Sequence, residues 1–395
     1  MQIDVLIFGG GGAGLWLLDE LHGLGHRVLL VEAAELGAGQ TVAAQGIIHG
    51  GIKYTLTGLL TESARAIREM PELWRRCLNG ERQPDLGDTT VLAGSCFLWR
   101  TDSFSSRLGM VGARQGLRSK TGSVPPAERP DILAQCPGDV FRVDEQVIDT
   151  VGFLGSLARR HRGRILKVRP HDGACFHTGV DGRVESVELF DCDDARLSIN
   201  PGHVVLTAGA GNAELRRAVG LSAEIMQRRP LHMVLVRGRL PALFGHCVDG
   251  AKTRVTITSH ADAAGRTVWQ VGGQLAEDGV ALTEGDLIER ARGELQAVLP
   301  GWDPSGLEWA TYRIDRAEAK TPGGIRPAGP QLDVHGNVVT VWPTKLALVP
   351  RAAKLVAEQL GPPRASEPGQ PLDVGDWPAP DVAKPPWEVT NTWHR

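Results

Sequence analysis

No Cys-x-x-Cys pair occurs in this chain, and its six cysteines, Cys77, Cys96, Cys136, Cys175, Cys192 and Cys247, are scattered along 395 residues. That argues against a clustered zinc site and a disulfide framework, and it fits small thiols in a reducing compartment. No apolar run reaches the roughly 18 residues of a membrane-spanning helix. Neither a basic segment nor a small-residue cleavage site accompanies the first apolar run, so no secretion signal is expected and the cytoplasm is the default location. Excess charge is also lacking: 43 Lys and Arg against 46 Asp and Glu leave a net charge of −3, and no basic stripe interleaves the ten tryptophans. Nucleic acid is therefore not an expected partner, and the tryptophans read as packing residues. His232, His246 and His260 have no ligand spacing among them, so no metal site is read.

What is present is an ordinary globular composition, 42% hydrophobic and 23% charged, over a length that fits two domains. Residues 4–8 are apolar on both faces, as a central parallel strand requires. Glycines follow at 9–14, then a helical pattern at 15–24 that Gly25 can stop, then a second buried strand at 28–31. This is a βαβ opening. Glu20, His22 and His26, on or just after that helix, read as solvated. A helix is expected over 59–70, ended before Pro71, and a strand over 91–99. Residues 144–161 read as helix, 174–206 as short strands with a turn at Asp181-Gly182, and 203–207 as a buried strand. Strands follow at 231–239, 254–258 and 269–274, a helix at 284–299, a strand at 337–341 and a helix at 346–360. The proline-rich stretch 361–395 reads as an extended tail, packed on the surface or partly mobile.

Gly9-Gly10-Gly11-Gly12-Ala13-Gly14 satisfies G-x-G-x-x-G through Gly9, Gly11 and Gly14. The first glycine permits the tight turn, the second lets backbone approach a pyrophosphate, and the third lets helix pack on strand. The phosphates then meet the positive helix N-terminus. Glu32 ends the second strand, where its carboxylate can accept from ribose hydroxyls. Strand, turn, helix, strand and acid in this order imply a bound dinucleotide. The motif itself does not separate FAD from NAD.

The next segment does. Residues 39–54, and above all Ile48-His49-Gly50-Gly51-Ile52-Lys53-Tyr54, resemble the flavin-facing segment of the D-amino-acid oxidase superfamily. The stretch is similar to the Ile-His-Gly-Gly-Leu-Arg-Tyr of FAD-dependent glycerol-3-phosphate dehydrogenases, and L-2-hydroxyglutarate oxidases carry a related Ile-His-Ala-Gly. Residues 204–211, ending in Ala208-Gly209-Ala210-Gly211, look like the superfamily's apolar strand and its turn near the cofactor. Trp309-Ala310-Thr311-Tyr312-Arg313 looks like its Trp-x-Gly-x-Arg substrate-anchoring strand, with Thr311 in place of the glycine and Arg326-Pro327 as a competing match. Trp342-Pro343-Thr344-Lys345-Leu346 resembles a Gly-Gly-Lys-Leu segment, with Pro343 and Thr344 in place of the glycines.

The resemblance implies an α/β fold in which a Rossmann-type FAD-binding domain is interleaved with a second α+β domain built on a large mixed sheet. The domains are expected over 1–80, 145–222 and 322–362 for FAD and over 81–144 and 223–321 for substrate, with 363–395 as the tail. The cofactor residues implied are Gly9, Gly11, Gly12, Ala13, Gly14, Glu32, Ala33, Gln40, Thr41, Ala44, Gln45, Gly46, Ile47, Ala174, Ala208, Gly209, Gly211, Thr344, Lys345 and Leu346. Lys53, Arg313 and Lys345 are the cations at matched positions, and together they would clamp an anion. Lys345 has a second possible role at the flavin N1–C2 carbonyl. His49 reads either as a general base or as a structural histidine on the loop, and Tyr54 as a pocket residue.

The function expected is an FAD-dependent oxidoreductase that transfers hydride from a small anionic hydroxy or amino compound to flavin N5. FAD is expected to be non-covalent, the electron acceptor to be O2 or another oxidant, and the chain to be a monomer. Two alternatives stay open: an NAD(P)H-dependent flavin monooxygenase or halogenase, for which no second glycine fingerprint is seen, and a flavin-binding protein without turnover.

Overall fold

A computed structural model describes residues 1–50, 67–101, 121–249, 252–363 and 372–395. Two eight-stranded sheets organise it. In the first, strands run in the order Gln331–His335, Val338–Trp342, Arg196–Leu206, Gln2–Phe8, Val28–Glu32 and Ile165–Lys167. From Val338–Trp342 to Ile165–Lys167 every neighbouring pair is parallel. Parallel strands need crossovers, and these cover the sheet on both faces, so the central strand must be apolar throughout. Val5 and Ile7 accordingly pack among helices Gly12–Gly23, Thr150–Arg160 and Val349–Leu360. Ile3, Leu6 and Phe8 pack on the other face, under the antiparallel strands Ala174–Thr178 and Val184–Phe190.

The second sheet is mixed. Its order is Glu308–Ala319, Met226–Gly238, Thr267–Gly272, Lys252–Ala261, Gly245–Asp249, Cys96–Arg100, Val140–Val143 and Thr121–Ser123. All pairs are antiparallel except Gly245–Asp249 with Cys96–Arg100. One face buries Val234, Val236, Trp269 and Trp309 against Leu287, Ala291 and Leu295 of helix Glu284–Val298. Thr283 caps that helix by accepting the Asp286 N–H. The opposite face carries Met233, Gln270 and Tyr312 toward the first sheet.

Several expectations are corrected. Of the helix expected over 59–70, residues 59–66 lie outside the described residues; Met70 and Pro71 open a further helix, Met70–Leu78, where the missing N–H of Pro71 costs nothing at the first turn. The strand expected over 91–99 is broken at Gly94-Ser95, and its halves, Val91–Ala93 and Cys96–Arg100, join different sheets. The helix expected from 144 begins at Thr150, because Asp149 caps it by accepting from Val151 and Gly152 N–H. His26 is buried, while His22 is exposed and Glu20 half-buried. The described part of the tail is packed. Leu36 N–H donates to Asp381 C=O and Ala383 N–H to Leu36 C=O, while Trp309 and His394 exchange backbone hydrogen bonds at 2.7 Å. No described helix is long and apolar enough to cross a membrane.

Candidate active site

The carboxyl ends of the parallel strands, at Gly9, Glu32, Thr207 and Trp342, open on a cavity of about 1100 Å³ whose far wall is the second sheet, through Leu231, Met233, Thr256 and Ile314. Clefts of this kind lie at the carboxyl ends of open parallel sheets, where helix N-termini gather.

The glycine turn is built by close packing. Gly9 has a φ of +107°, and a Cβ there would sit 2.5 Å from Ala208 Cα. A Cβ on Gly14 would sit 1.9 Å from the Gly9 carbonyl oxygen. That oxygen also accepts from Thr207 Oγ1 at 2.8 Å, so strand, turn and helix lock together. Gly11 differs: a Cβ there would meet only Thr41 Oγ1, at 3.3 Å. The fold does not need a glycine at that position, whereas a ligand lying on the N-terminus of helix Gly12–Gly23 does. Glu32 Oε2 accepts the Gly10 N–H at 2.6 Å and Oε1 the Ala34 N–H at 2.9 Å, which fixes the carboxylate beside the turn. This cradle, with its acid, fits a dinucleotide.

The loop at 39–50 crosses the cavity and is stitched to the second sheet. Gln40 Oε1 accepts the Ala317 N–H, and Gln45 Nε2 donates to the Thr256 and Gln270 carbonyls. Gln270 Nε2 and Tyr312 Oη both donate to the Ala43 carbonyl. Gln40 and Gln45 thus spend their side chains on holding the loop. At the opposite wall Thr344 adopts a φ of +65°, the left-handed region that favours glycine. The backbone turn that the glycine-bearing segment would make is therefore present, on a β-branched residue. Lys345, half-buried, and Leu346 follow it in the cavity wall, ahead of helix Val349–Leu360.

Of the residues singled out in the sequence, Gly9, Gly11, Gly12, Ala13, Glu32, Gln40, Thr41, Ala44–Ile47, His49, Ala208, Gly209, Gly211, Arg313, Thr344, Lys345 and Leu346 line this cavity. Gly14 sits just behind it. Ala33 and Ala174 do not line it; both pack on the apolar cluster around Phe8. The strand that reaches Glu32 from that part of the chain is Ile165–Lys167, with Lys167 in register with Glu32 and Val168 N–H donating to the Glu32 carbonyl. Lys53 and Tyr54 lie outside the described residues.

Arg313 borders the cavity, but its guanidinium is committed elsewhere, donating to the Val280 and Leu282 carbonyls at 2.7 and 2.8 Å. The charge on the other face of that strand belongs to Arg316. It lies opposite Arg229 in register and donates to Glu277 Oε1 at 3.0 Å. Arg229 pairs with the fully buried Glu318, and Arg326 approaches Glu277 at 3.8 Å. Burial first, then the Arg229 and Arg326 charges, lower the proton affinity of Arg316. Three guanidiniums against two carboxylates leave positive charge at this end of the cavity.

One constellation has no sequence signal. Glu145, buried, accepts the Gly50 N–H on Oε1 at 3.0 Å and faces His49 Nδ1 at 3.4 Å and His246 Nε2 at 3.3 Å on Oε2. Thr256 Oγ1 holds His246 Nδ1 at 2.9 Å. Burial opposes the Glu145 charge, yet the His49 charge and the hydrogen bonds from both imidazoles hold its carboxyl well below the usual carboxylate range. The three side chains converge within 4.8 Å, a donor set of the kind that can take a metal ion. His246 carries no ligand spacing in sequence, and only the fold brings it to His49.

The family described as FAD dependent oxidoreductase (DAO) matches residues 4–359. The probable FAD-dependent oxidoreductase PA4991 of Pseudomonas aeruginosa is 39% identical over 394 residues, 98% of each chain. Its crystal structure superposes with a TM-score of 0.82 over 98% of each chain, at 35% identity. Glycine oxidase from Geobacillus kaustophilus superposes at 0.65 with 17% identity over 92% of this chain and 96% of its own. L-alpha-glycerophosphate oxidase from Mycoplasma pneumoniae, with FAD bound, superposes at 0.62 with 15% identity over 91% and 94%. The last two share the fold.

Proposed function

The chain belongs to the DAO family of FAD-dependent oxidoreductases, and from that membership we propose that it holds FAD non-covalently in this cavity and oxidises a small anionic hydroxy or amino compound. The observation that carries the reading is the meeting, in one cavity, of a glycine cradle on a helix N-terminus with a guanidinium cluster. Glu32 would hold the ribose, Gly11, Gly12 and Ala13 the pyrophosphate, and the backbone of Ala44–Ile47 with Thr344–Leu346 the ring. Bound FAD supplies the acceptor for the electron pair of the substrate C–H bond.

The chain's own residues do the rest. Arg316, with Arg326, takes the substrate's anionic group, because planar guanidiniums bind carboxylate or phosphate through paired N–H donors. Arg313 shapes the 280–282 turn instead. His49, in the cavity wall, takes the proton of the substrate's hydroxyl or amine. Lys345 and the N-terminus of the helix after it stabilise negative charge at the pyrimidine edge. O2 or a second acceptor closes the cycle.

The test is anaerobic flavin bleaching across a panel of hydroxy acids, amino acids and phosphorylated alcohols. At least one compound is expected to bleach the flavin. Arg316→Gln should raise the concentration needed for half-bleaching by about 10- to 100-fold, the weight of a charge-assisted hydrogen bond. A panel without effect, or an Arg316→Gln protein indistinguishable from the parent, would count against the proposal.

A further inference from the structure

Glu145 and His246 touch neither the glycine cradle nor the guanidinium cluster, yet they are the most deeply buried ionisable pair beside the cavity, each side chain 1% exposed. They come from distant places. Glu145 stands between strands Val140–Val143 and Val147–Ile148, His246 on strand Gly245–Asp249, and His49 on the loop that crosses the cavity. A buried carboxylate is costly unless its charge is matched and its lone pairs are used. Gly50 N–H uses Oε1, and the two imidazoles face Oε2. Among the described residues no lysine or arginine forms an ion pair with Glu145; the groups that face its Oε2 are the two imidazoles.

His49 is the only member in the cavity wall; its side chain is 26% exposed. In the neutral ring that a base requires, Nδ1, turned to the carboxylate, carries the proton and Nε2 is the basic nitrogen. His246, buried, reaches Glu145 through Nε2 and Thr256 through Nδ1.

We propose that Glu145 is a positioning residue: it fixes His49 as the Nδ1–H tautomer and presents Nε2 to the substrate. This rests on the proposed oxidation. In that reaction the substrate's O–H or N–H bond breaks and its proton forms a new bond to His49 Nε2. The C–H bond gives its electron pair and hydrogen to FAD, and a carbonyl or imine results. Glu145 exchanges no proton; it stabilises the imidazolium that His49 becomes.

The test reads the tautomer directly. Holoprotein labelled with 15N-histidine is compared with its His49→Gln variant by long-range 1H–15N correlation, which assigns the His49 ring. The wild type should show His49 with Nδ1 protonated and Nε2 bare. Glu145→Gln keeps the shape and the Gly50 acceptor but can turn an amide N–H toward Nδ1, so His49 should lose the single-tautomer pattern. His246→Gln, which leaves Glu145 in place, should keep the His49 tautomer and serves if Glu145→Gln does not fold. A wild-type His49 protonated on Nε2, or an unchanged His49 pattern in Glu145→Gln, overturns the proposal. So does a stoichiometric transition metal in the purified protein, since Nδ1 would then be a ligand. FAD released by acid from the same samples is measured alongside. Its absence defeats the proposed function, whereas a wrong tautomer with FAD present defeats only this inference.

Discussion

Gly11 and Gly14 separate what a ligand requires from what the fold requires. A Cβ on Gly14 would strike the Gly9 carbonyl oxygen at 1.9 Å, a backbone atom that cannot move aside. Gly14→Ala should therefore destabilise the protein by about 3 kcal/mol or more, as overpacked sites do. A Cβ on Gly11 meets one hydroxyl at 3.3 Å and otherwise faces the cavity. Gly11→Val should keep its melting temperature within a few degrees of apoprotein and lose FAD. Thermal melts with the flavin content of each variant check both. A Gly11→Val protein that keeps full FAD would remove the pyrophosphate from this turn. At this scale the sequence was legible wherever function is local: Gly9, Gly11, Gly14 and Glu32 follow from spacing alone. Arg313 lines the cavity, but its guanidinium donates to the Val280 and Leu282 carbonyls, a commitment that likeness to a family strand does not show. Arg313 and Arg316 stand an odd number of positions apart and so point to opposite faces. Glu145 was invisible, since its partners His49 and His246 lie 96 and 101 residues away.

Among the elements, the tail gained most from the structure. Read as a proline-rich end, it proves to run from one sheet to the other. Trp377 Nε1 donates to the Lys167 carbonyl, next to strand Val28–Glu32, and Trp387 stacks on His260 of the second sheet at 4.2 Å between ring centres. Arg237 lies 3.8 Å over the Trp393 ring. Proline content hid this, because such contacts have no period to detect. Trp387→Ala should cost about 3 kcal/mol, the usual weight of a buried tryptophan, visible in thermal melts. Burial under Trp387 pushes His260 from 6.5 down to about 4. The folded state therefore binds fewer protons than the unfolded chain between those values. Stability should be complete above pH 6.5, fall as the pH drops toward 4, and change no further from this group below that, by about 3 kcal/mol in all. His260→Gln should flatten that part of the profile; an unchanged slope would assign the pH response to other groups.

For the whole molecule, the fold was legible because each level of the sequence agreed. Strand Gln2–Phe8 is apolar on both faces because both faces are covered. What sequence alone could not supply was the approach of the two sheets. That approach places the loop at 39–50 against Thr256, Gln270 and Tyr312 and makes one cavity of parts hundreds of residues apart. This cavity is proposed to hold FAD without a covalent bond. The most direct measurement is the visible spectrum of the purified protein, followed by acid precipitation and quantification of the flavin in the supernatant. A yellow protein that releases about one FAD per chain is expected. A colourless protein that takes up no added FAD, or flavin that stays with the precipitate, would contradict it.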